Sequence, residues 1–241
     1  MLQVFASLKA IWNVLFPSDR PNRTKEDCVV FPHPPTPLGF RLNISPDPIV
    51  SVELFQDVCC PFSKRMFNTI VEELIPVLND KELIHRICFI WQSVPQPWHA
   101  QSCLMHEAII AADLTNKHKI VDYLQSLFYQ QDNFFDEKTK DLSRVELYAR
   151  LANIGVQCRY GPGTISSKLN LEGVKGNSGL IGITQHLKWA VKYHRMRGVH
   201  VTPTVFINGL EAVDISSDWS PGDWRKKLEP MLNHCEIHQP T

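Results

Sequence analysis

Residues 49–63 read IVSVELFQDVCCPFS, and this stretch carries the strongest indication of the fold in the chain. Its first part, 49–56, is rich in apolar and β-branched residues, which predicts a β-strand. A helical pattern follows over about 61–79. The residues that share its apolar face are Met66, Phe67, Ile70, Leu74 and Leu78. The stretch therefore predicts a strand, a turn that carries Cys59 and Cys60, and a helix.

The elements after this helix can be read from periodicity and turn signals. They are a strand at 83–91, a helical block at about 98–198, a strand at Thr204–Ile207 and a last helix that Ser220 caps. Asn208-Gly209 is a strong hairpin turn, and 211–215 is the predicted second strand of that hairpin. The order strand, helix, strand, helical block, strand, strand, helix indicates an α/β protein.

Four helices are predicted inside the helical block. They cover about 99–114, 117–129, 143–154 and 177–198. Ser143 and Glu146 match a capping box at the start of the third helix. A glycine-rich break at 161–179 precedes the fourth helix, which is predicted to stop at Gly198.

The N-terminal part of the chain differs from the rest. Phe5, Leu8, Trp12 and Leu15 fall at helical spacing, which predicts an amphipathic helix over 1–16 rather than a signal peptide. Frequent prolines over 17–48 predict an extended lead-in. We therefore divide the chain into an amphipathic segment and lead-in at 1–47, the two halves of a core at 48–97 and 198–241, and a helical insertion with its connecting helix at 98–197.

Composition excludes several classes of protein. With 241 residues, 44% of them hydrophobic, the chain fits one elaborated domain. Lys+Arg and Asp+Glu number 25 each, so the charge gives no sign of a nucleic-acid partner. Seven cysteines without regular spacing indicate mainly free thiols. No run of about 20 apolar residues exists, so no transmembrane span is predicted.

The sequence leaves the compartment undecided and favours the cytoplasm. The secretory pathway stays open if residues 1–16 act as a signal. Asn22-Arg-Thr24 and Asn43-Ile-Ser45 match glycosylation sequons, which matter only for a secreted chain.

A second motif reads VTPTVFING over 201–209. Together with Cys60-Pro-Phe-Ser63 it resembles the active site of the thioredoxin superfamily. The helical block makes the chain, over roughly 48–235, similar to the DsbA-like branch, and closest to its poorly characterised eukaryotic members. Related members of the branch are 2-hydroxychromene-2-carboxylate isomerases and kappa-class glutathione transferases. The resemblance implies an α/β thioredoxin fold with a helical subdomain inserted between the two halves of the core.

This resemblance implies catalytic roles for two residues. Cys60 would be a nucleophile at a helix N-terminus, where unpaired N–H groups and the helix dipole favour a thiolate. Ser63 stands where dithiol oxidoreductases have a second cysteine. Its hydroxyl is expected to hydrogen-bond the thiolate, but it cannot resolve a mixed disulfide. The alternative interpretation is an inherited loop without reactivity.

Other residues are implied as substrate contacts. Pro61 and Phe62 flank the nucleophile, and Thr202 and Pro203 would hold the substrate backbone, with Pro203 as a candidate cis proline. In the alternative interpretation Pro203 only begins an edge strand. Cys59 is an auxiliary thiol that does not replace the missing cysteine, because a disulfide between neighbouring residues is strained.

Acid–base support departs from the pattern of redox-active relatives, which often bury a carboxylate six residues before the nucleophile. This chain has Leu54 there, and strand alternation sends Glu53 to the opposite face. Asp57 lies nearer to Cys60, and we expect it to be a loop residue.

His99, Cys103 and His106 fall at i, i+4 and i+7, which places them on one face of a helix. Such spacing could ligate zinc, but the sequence offers no further ligand, so no metal site is predicted. We expect His99 to contact the substrate or to partner the thiolate of Cys60. The aromatic residues expected in the core or along a substrate groove are Trp91, Trp98, Phe134, Phe135, Trp189 and Trp219.

The function favoured by the sequence is single-thiol chemistry. Cys60 would form a mixed disulfide with a thiol- or disulfide-containing protein or with glutathione, and an outside thiol would release it. The sequence leans towards an enzyme with glutathione as co-substrate and no permanently bound cofactor. The alternatives are a glutathione-dependent transferase or isomerase of the kappa type and a non-catalytic peptide-binding module on a thioredoxin scaffold.

Overall fold

The computed structural model describes residues 33–234. The predicted helix at 1–16, the sequon at Asn22 and the first part of the lead-in lie outside these residues. Among the residues that are described, no helix has the length and apolar character needed to cross a membrane.

Five strands form one mixed sheet. The strands are β1 (Phe40–Arg41), β2 (Val50–Gln56), β3 (Ile87–Ser93), β4 (Thr204–Ile207) and β5 (Leu210–Glu211). Their spatial order is β1-β3-β2-β4-β5. β2 and β3 are parallel, and the other three neighbouring pairs are antiparallel. The central strand is therefore β2, and the turn that carries Cys60 follows directly after it.

Nine α-helices lie in the described part of the chain. They are α1 (Pro61–Asn68), α2 (Ile75–Asp80), α3 (Ser102–Asn116), α4 (Ile120–Tyr129), α5 (Asp136–Thr139), α6 (Arg144–Gln157), α7 (Thr164–Lys168), α8 (Ile183–Met196) and α9 (Pro221–His234). A π-helical segment, Thr69–Leu74, joins α1 to α2, and together they form the crossover that parallel strands require. The helices α3 to α8 come between β3 and β4 in the chain, so they are the helical insertion.

The predicted apolar face of the first helix packs into the main core. Its five residues are at most 1% exposed, namely Met66, Phe67, Ile70, Leu74 and Leu78. Val52 and Leu54 of β2 belong to the same core. Phe55 instead packs with Phe206 and Tyr193 in a second, smaller cluster. Burial on both faces of β2 holds the start of α1 against a rigid strand.

Several helix ends and turns match the local sequence signals. The capping box of Ser143 and Glu146 is formed. Ser220 caps α9, where Asp223 N donates to Ser220 Oγ at 3.3 Å. Asn208 and Gly209 have φ values of 48° and 87°, as expected of a tight hairpin turn.

Other predicted boundaries were wrong. The strand predicted at 83–91 begins at Ile87, because Ile84–Arg86 form a 3₁₀ helix. The hairpin strand predicted at 211–215 is the two-residue β5. The helix predicted from 177 begins at Ile183, because Gly179 and Gly182 adopt φ values of 74° and 76° that end any earlier helical run.

The sequence did not predict α5, α7 or β1. The glycine-rich break at 161–179 contains α7, and the proline-rich lead-in contains β1.

At the sequon, Asn43 Nδ2 donates to Ile87 O at 2.8 Å and Asn43 Oδ1 accepts from Phe89 N at 2.9 Å. In the folded chain this amide therefore holds the lead-in against β3.

Candidate active site

Cys60 occupies the position predicted for a nucleophile. It is the N-cap residue of α1, and Pro61 follows in the first turn. Its backbone N donates to Asp57 O at 3.0 Å, which closes the turn between β2 and α1. The residue is 5% exposed, so only a narrow part of it reaches solvent.

The thiol of Cys60 faces the second motif. Cys60 Sγ donates to the carbonyl oxygen of Thr202 at 3.4 Å, across 142 positions of the chain. The peptide bond between Thr202 and Pro203 is cis. The structure therefore brings together Cys60, Thr202 and Pro203, three residues that the resemblance had assigned to one site.

The hydroxyl of Ser63 has a different partner from the one predicted. Ser63 is fully buried, and its Oγ accepts a hydrogen bond from Asp57 N at 3.3 Å. In residues 33–234 no hydrogen bond joins this hydroxyl to Cys60. Ser63 therefore supports the backbone of the turn, because the hydroxyl is directed at the end of β2.

The centre of the site is a residue that we had expected to be an ordinary loop aspartate. Asp57 is completely buried. Its Oδ1 accepts from Cys59 N at 2.9 Å, Ser102 Oγ at 2.7 Å and His106 Nε2 at 3.2 Å. Its Oδ2 accepts from Gln96 N at 3.1 Å and from His99 Nδ1 at 2.7 Å. Five donors converge on one carboxylate.

These contacts decide the charge of Asp57. Burial by itself raises the pKa of a carboxyl group, but the hydrogen bond and charge of His106, then the hydrogen bonds of His99 and Cys59 N, outweigh it. The net effect lowers the pKa of Asp57 from 3.8 to about 2. An ionised carboxylate only accepts hydrogen bonds, so both histidines donate to it.

The two histidines differ in their second ring nitrogen. His106 is fully buried and stacks on Trp91 at a centroid distance of 5.5 Å, and its Nδ1 hydrogen-bonds Ser93 Oγ. The side chain of His99 is 23% exposed. No hydrogen bond engages its Nε2 within the described residues. His99 is therefore the histidine of this pair whose ring reaches solvent.

Three glutamines connect the site to the rest of the molecule. Gln131, from the helical insertion, donates to Val58 O at 2.7 Å and to Cys60 O at 3.0 Å. Gln96 Nε2 donates to His200 O at 3.2 Å, and Gln56 Nε2 donates to Ser63 O at 3.3 Å. The turn that carries Cys60 is thus fixed by the insertion as well as by the core.

Cys59 is buried beneath the turn. Burial first, and then the negative charges of Asp57 and Asp136 and the neighbouring Cys60, raise its pKa from 9.0 to about 12. It therefore stays a protonated thiol at neutral pH, which makes it a poor nucleophile.

Exposed apolar side chains lie beside the site residues in sequence. Phe62 is 53% exposed, Trp98 60% and Val201 61%. Trp98, which precedes His99, is thus outside the core. The other tryptophans and Phe134 named at the sequence level are buried or pack against the core. The three exposed residues therefore present apolar surface on the segments that carry Cys60, His99 and Thr202.

The zinc-type spacing has another explanation in the structure. His99 precedes α3, Cys103 is exposed, and the two histidines meet at Asp57. No group of three or more potential metal ligands is found in residues 33–234.

Glu53 points away from the site as predicted, since Tyr193 OH donates to it at 2.7 Å and Arg197 pairs with it at 3.6 Å.

Sequence reasoning missed the assembly around Asp57. Besides His99, its members are Asp57, Cys59 N, Gln96 N, Ser102 and His106. The sequence did carry one sign of this assembly. His99 and His106 are seven positions apart with Ser102 between them, a spacing that lets all three side chains bond the same group. That group lies more than 40 residues earlier, at the end of a different strand.

Acid should remove the stability that Asp57 supplies. Its folded pKa of about 2 lies below the ordinary 3.8, so its contribution is complete above about pH 4 and is lost as the pH falls through 2. The shift corresponds to about 2 kcal/mol. We expect the unfolding free energies of wild type and Asp57→Asn, measured in urea, to converge by about that amount between about pH 5 and pH 2. A difference that does not change with pH would contradict the assignment.

No family model matches the chain, and no curated protein matches it. Solved structures do. The crystal structure of a putative protein-disulfide isomerase from Pseudomonas syringae is 20% identical, with a TM-score of 0.61, and the match covers 76% of this chain and 96% of that one. Oxidised BdbD from Bacillus subtilis is 18% identical, with a TM-score of 0.62 and coverage of 81% and 93%.

The thiol-disulfide exchange protein alpha-DsbA2 from Wolbachia pipientis is a third neighbour, 19% identical with a TM-score of 0.55, and the match covers 80% of this chain and 87% of that one. Similarity at this level of identity establishes the fold. The chain has an α/β thioredoxin fold of the DsbA-like type, with helices inserted between the two halves of the core. The fold class expected from the sequence is confirmed.

Proposed function

We propose that this protein is a monothiol thiol–disulfide exchange enzyme with Cys60 as its nucleophile. One observation carries the proposal. The thiol of Cys60, at the N-terminus of α1, lies 3.4 Å from the carbonyl of Thr202 beside a cis proline. It does so in a fold shared with proteins described as thiol-disulfide exchange proteins.

The first step follows from the position of Cys60. The thiolate form of Cys60 attacks a disulfide of a protein or of glutathione. A bond forms between Cys60 Sγ and one substrate sulfur, and the other sulfur leaves as a thiolate. The backbone at Thr202 and Pro203 would hold the substrate, and exposed Phe62, Trp98 and Val201 would contact its apolar parts.

The second step needs an outside thiol. Ser63 has no sulfur with which to attack the mixed disulfide. Cys59 is protonated, since its pKa is raised to about 12, and it lies buried next to Cys60. Glutathione is the abundant small thiol that fits this role, so we propose it as co-substrate.

The proposal is tested by trapping Cys60. We expect glutathione disulfide to add one glutathione at Cys60, identified by mass spectrometry of peptides from the alkylated protein. The adduct should be absent in Cys60→Ser and should form at an unchanged rate, within about 2-fold, in Cys59→Ser. Peptide mapping separates this adduct from any on the exposed Cys103.

Two results would reject monothiol exchange. One is that Cys60 in the native protein reacts no faster than the same residue in an unfolded peptide. The other is that Cys60→Ser binds glutathione or peptides as wild type does. The second result would favour a transferase-type or binding role for the same groove.

A further inference from the structure

We propose that His99, held by Asp57, takes the proton from the outside thiol that releases the Cys60 mixed disulfide. This inference rests on the proposed exchange at Cys60 and adds a catalytic residue to it. Asp57 is a positioning residue in this scheme, because it acts through the imidazole.

The contact between Asp57 and His99 fixes the orientation of the ring. Asp57 Oδ2 lies 2.7 Å from His99 Nδ1, and Gln96 N donates to the same oxygen. Because the carboxylate is ionised and only accepts, the proton of a neutral His99 resides on Nδ1. Nε2 is then the atom that can accept a proton, as in other dyads of a carboxylate and an imidazole.

His99 is joined to both segments that hold the thiol of Cys60. The turn of residues 96–99 is closed by a hydrogen bond from His99 N to Gln96 O at 3.1 Å. Gln96 contacts Asp57 on one side and His200 O on the other. Asp57 lies three positions before Cys60 in the chain, and His200 lies two positions before Thr202. The backbone that carries His99 is therefore tied to both segments that hold the thiol of Cys60.

His106 does not fit the same role. It also donates to Asp57, but it is completely buried, and its other nitrogen is hydrogen-bonded to Ser93 Oγ. Of the two imidazoles on Asp57, His99 alone has a partly exposed side chain and a free Nε2 among the described residues.

In the release step, every bond that breaks is matched by a bond that forms. The outside thiol gives its proton to His99 Nε2, and its sulfur attacks the substrate sulfur of the mixed disulfide. A new disulfide forms between the outside thiol and the substrate, the bond to Cys60 Sγ breaks, and Cys60 leaves as a thiolate. The proton returns to the thiolate that was released in the first step. Over both steps, the substrate disulfide and the outside thiol exchange partners, and the protein is unchanged.

The test compares two outside thiols on His99→Asn. The amide of Asn reproduces the Nδ1 donor to Asp57 and lacks the Nε2 base. The Cys60–glutathione adduct is prepared first, and its release is timed at neutral pH. One thiol is 2-mercaptoethanol, which is mainly protonated at neutral pH, and the other is 2,2,2-trifluoroethanethiol, which is ionised to a much larger fraction. Both are used in large excess, so that release goes to completion. For each thiol, the release rate of the variant is divided by the release rate of wild type. This ratio removes the difference in nucleophilicity between the two thiols.

We expect His99→Asn to release the adduct on the order of 10²-fold more slowly than wild type with 2-mercaptoethanol, and at a rate much closer to that of wild type with 2,2,2-trifluoroethanethiol. His118→Asn is the matched control, because His118 is exposed in the helical insertion and should match wild type with both thiols.

The remaining outcomes overturn the inference. Equal slowing with both thiols would make His99 a structural residue, and no slowing with either would leave it without a role in release. The failure of the proposed exchange is a separate result, because the adduct at Cys60 would then not form even in wild type. A urea midpoint for each variant shows that it is folded.

Discussion

Ser63→Cys should shorten the lifetime of the Cys60–glutathione adduct by at least about 100-fold, because it places an internal thiol where the proposed cycle uses an outside one. Position 63 lies in the first turn of α1, three residues after Cys60, and it is fully buried. We expect the product to be a disulfide between Cys60 and the new cysteine, seen as the loss of one further alkylatable protein thiol and of the glutathione mass.

Ser63→Ala is the control for this experiment. It removes the Oγ that accepts from Asp57 N but adds no thiol, so its adduct should persist as in wild type. An adduct that survives equally in Ser63→Cys and Ser63→Ala would show that the first turn of α1 does not present residue 63 to Cys60. The monothiol interpretation of the motif would then lose its basis.

Asp57→Ala should destabilise the folded state by about 3–5 kcal/mol. The substitution leaves two histidines, a hydroxyl and two backbone N–H groups without their common acceptor in a buried site. Urea unfolding at neutral pH measures the loss. Asp57→Asn keeps one acceptor oxygen and should lose less.

Asp47→Ala is the reference for an exposed aspartate, and we expect it to change the unfolding free energy by less than about 0.5 kcal/mol. A small effect of Asp57→Ala, close to that of Asp47→Ala, would mean that the network reorganises around the missing carboxylate. Slower trapping of glutathione by the folded part of the Asp57→Asn population would show that the same network also positions the turn that carries Cys60.

Local sequence signals predicted those parts of the fold that local forces determine. The apolar face of Met66, Phe67 and Ile70 needed only helical periodicity. The capping box at Ser143 and the hairpin turn at Asn208-Gly209 involve neighbours within a few positions. Boundaries failed where glycine conformation or a 3₁₀ turn intervened, as at Ile183 and Ile87.

Residue type and spacing along a short segment were enough to predict the strand that leads to Cys60, the helix that follows it and the absence of a second sulfur at Ser63. Which groups meet in space depends on contacts between distant segments. Asp57 follows a strand, His99 and His106 flank the start of a helix, and Thr202 precedes another strand. They come together because β2 lies between β3 and β4, so the ends of three separate segments share one edge of the sheet. The hydrogen-bond partners of Asp57 come from these separate segments, and no sequence pattern close to Asp57 predicts them.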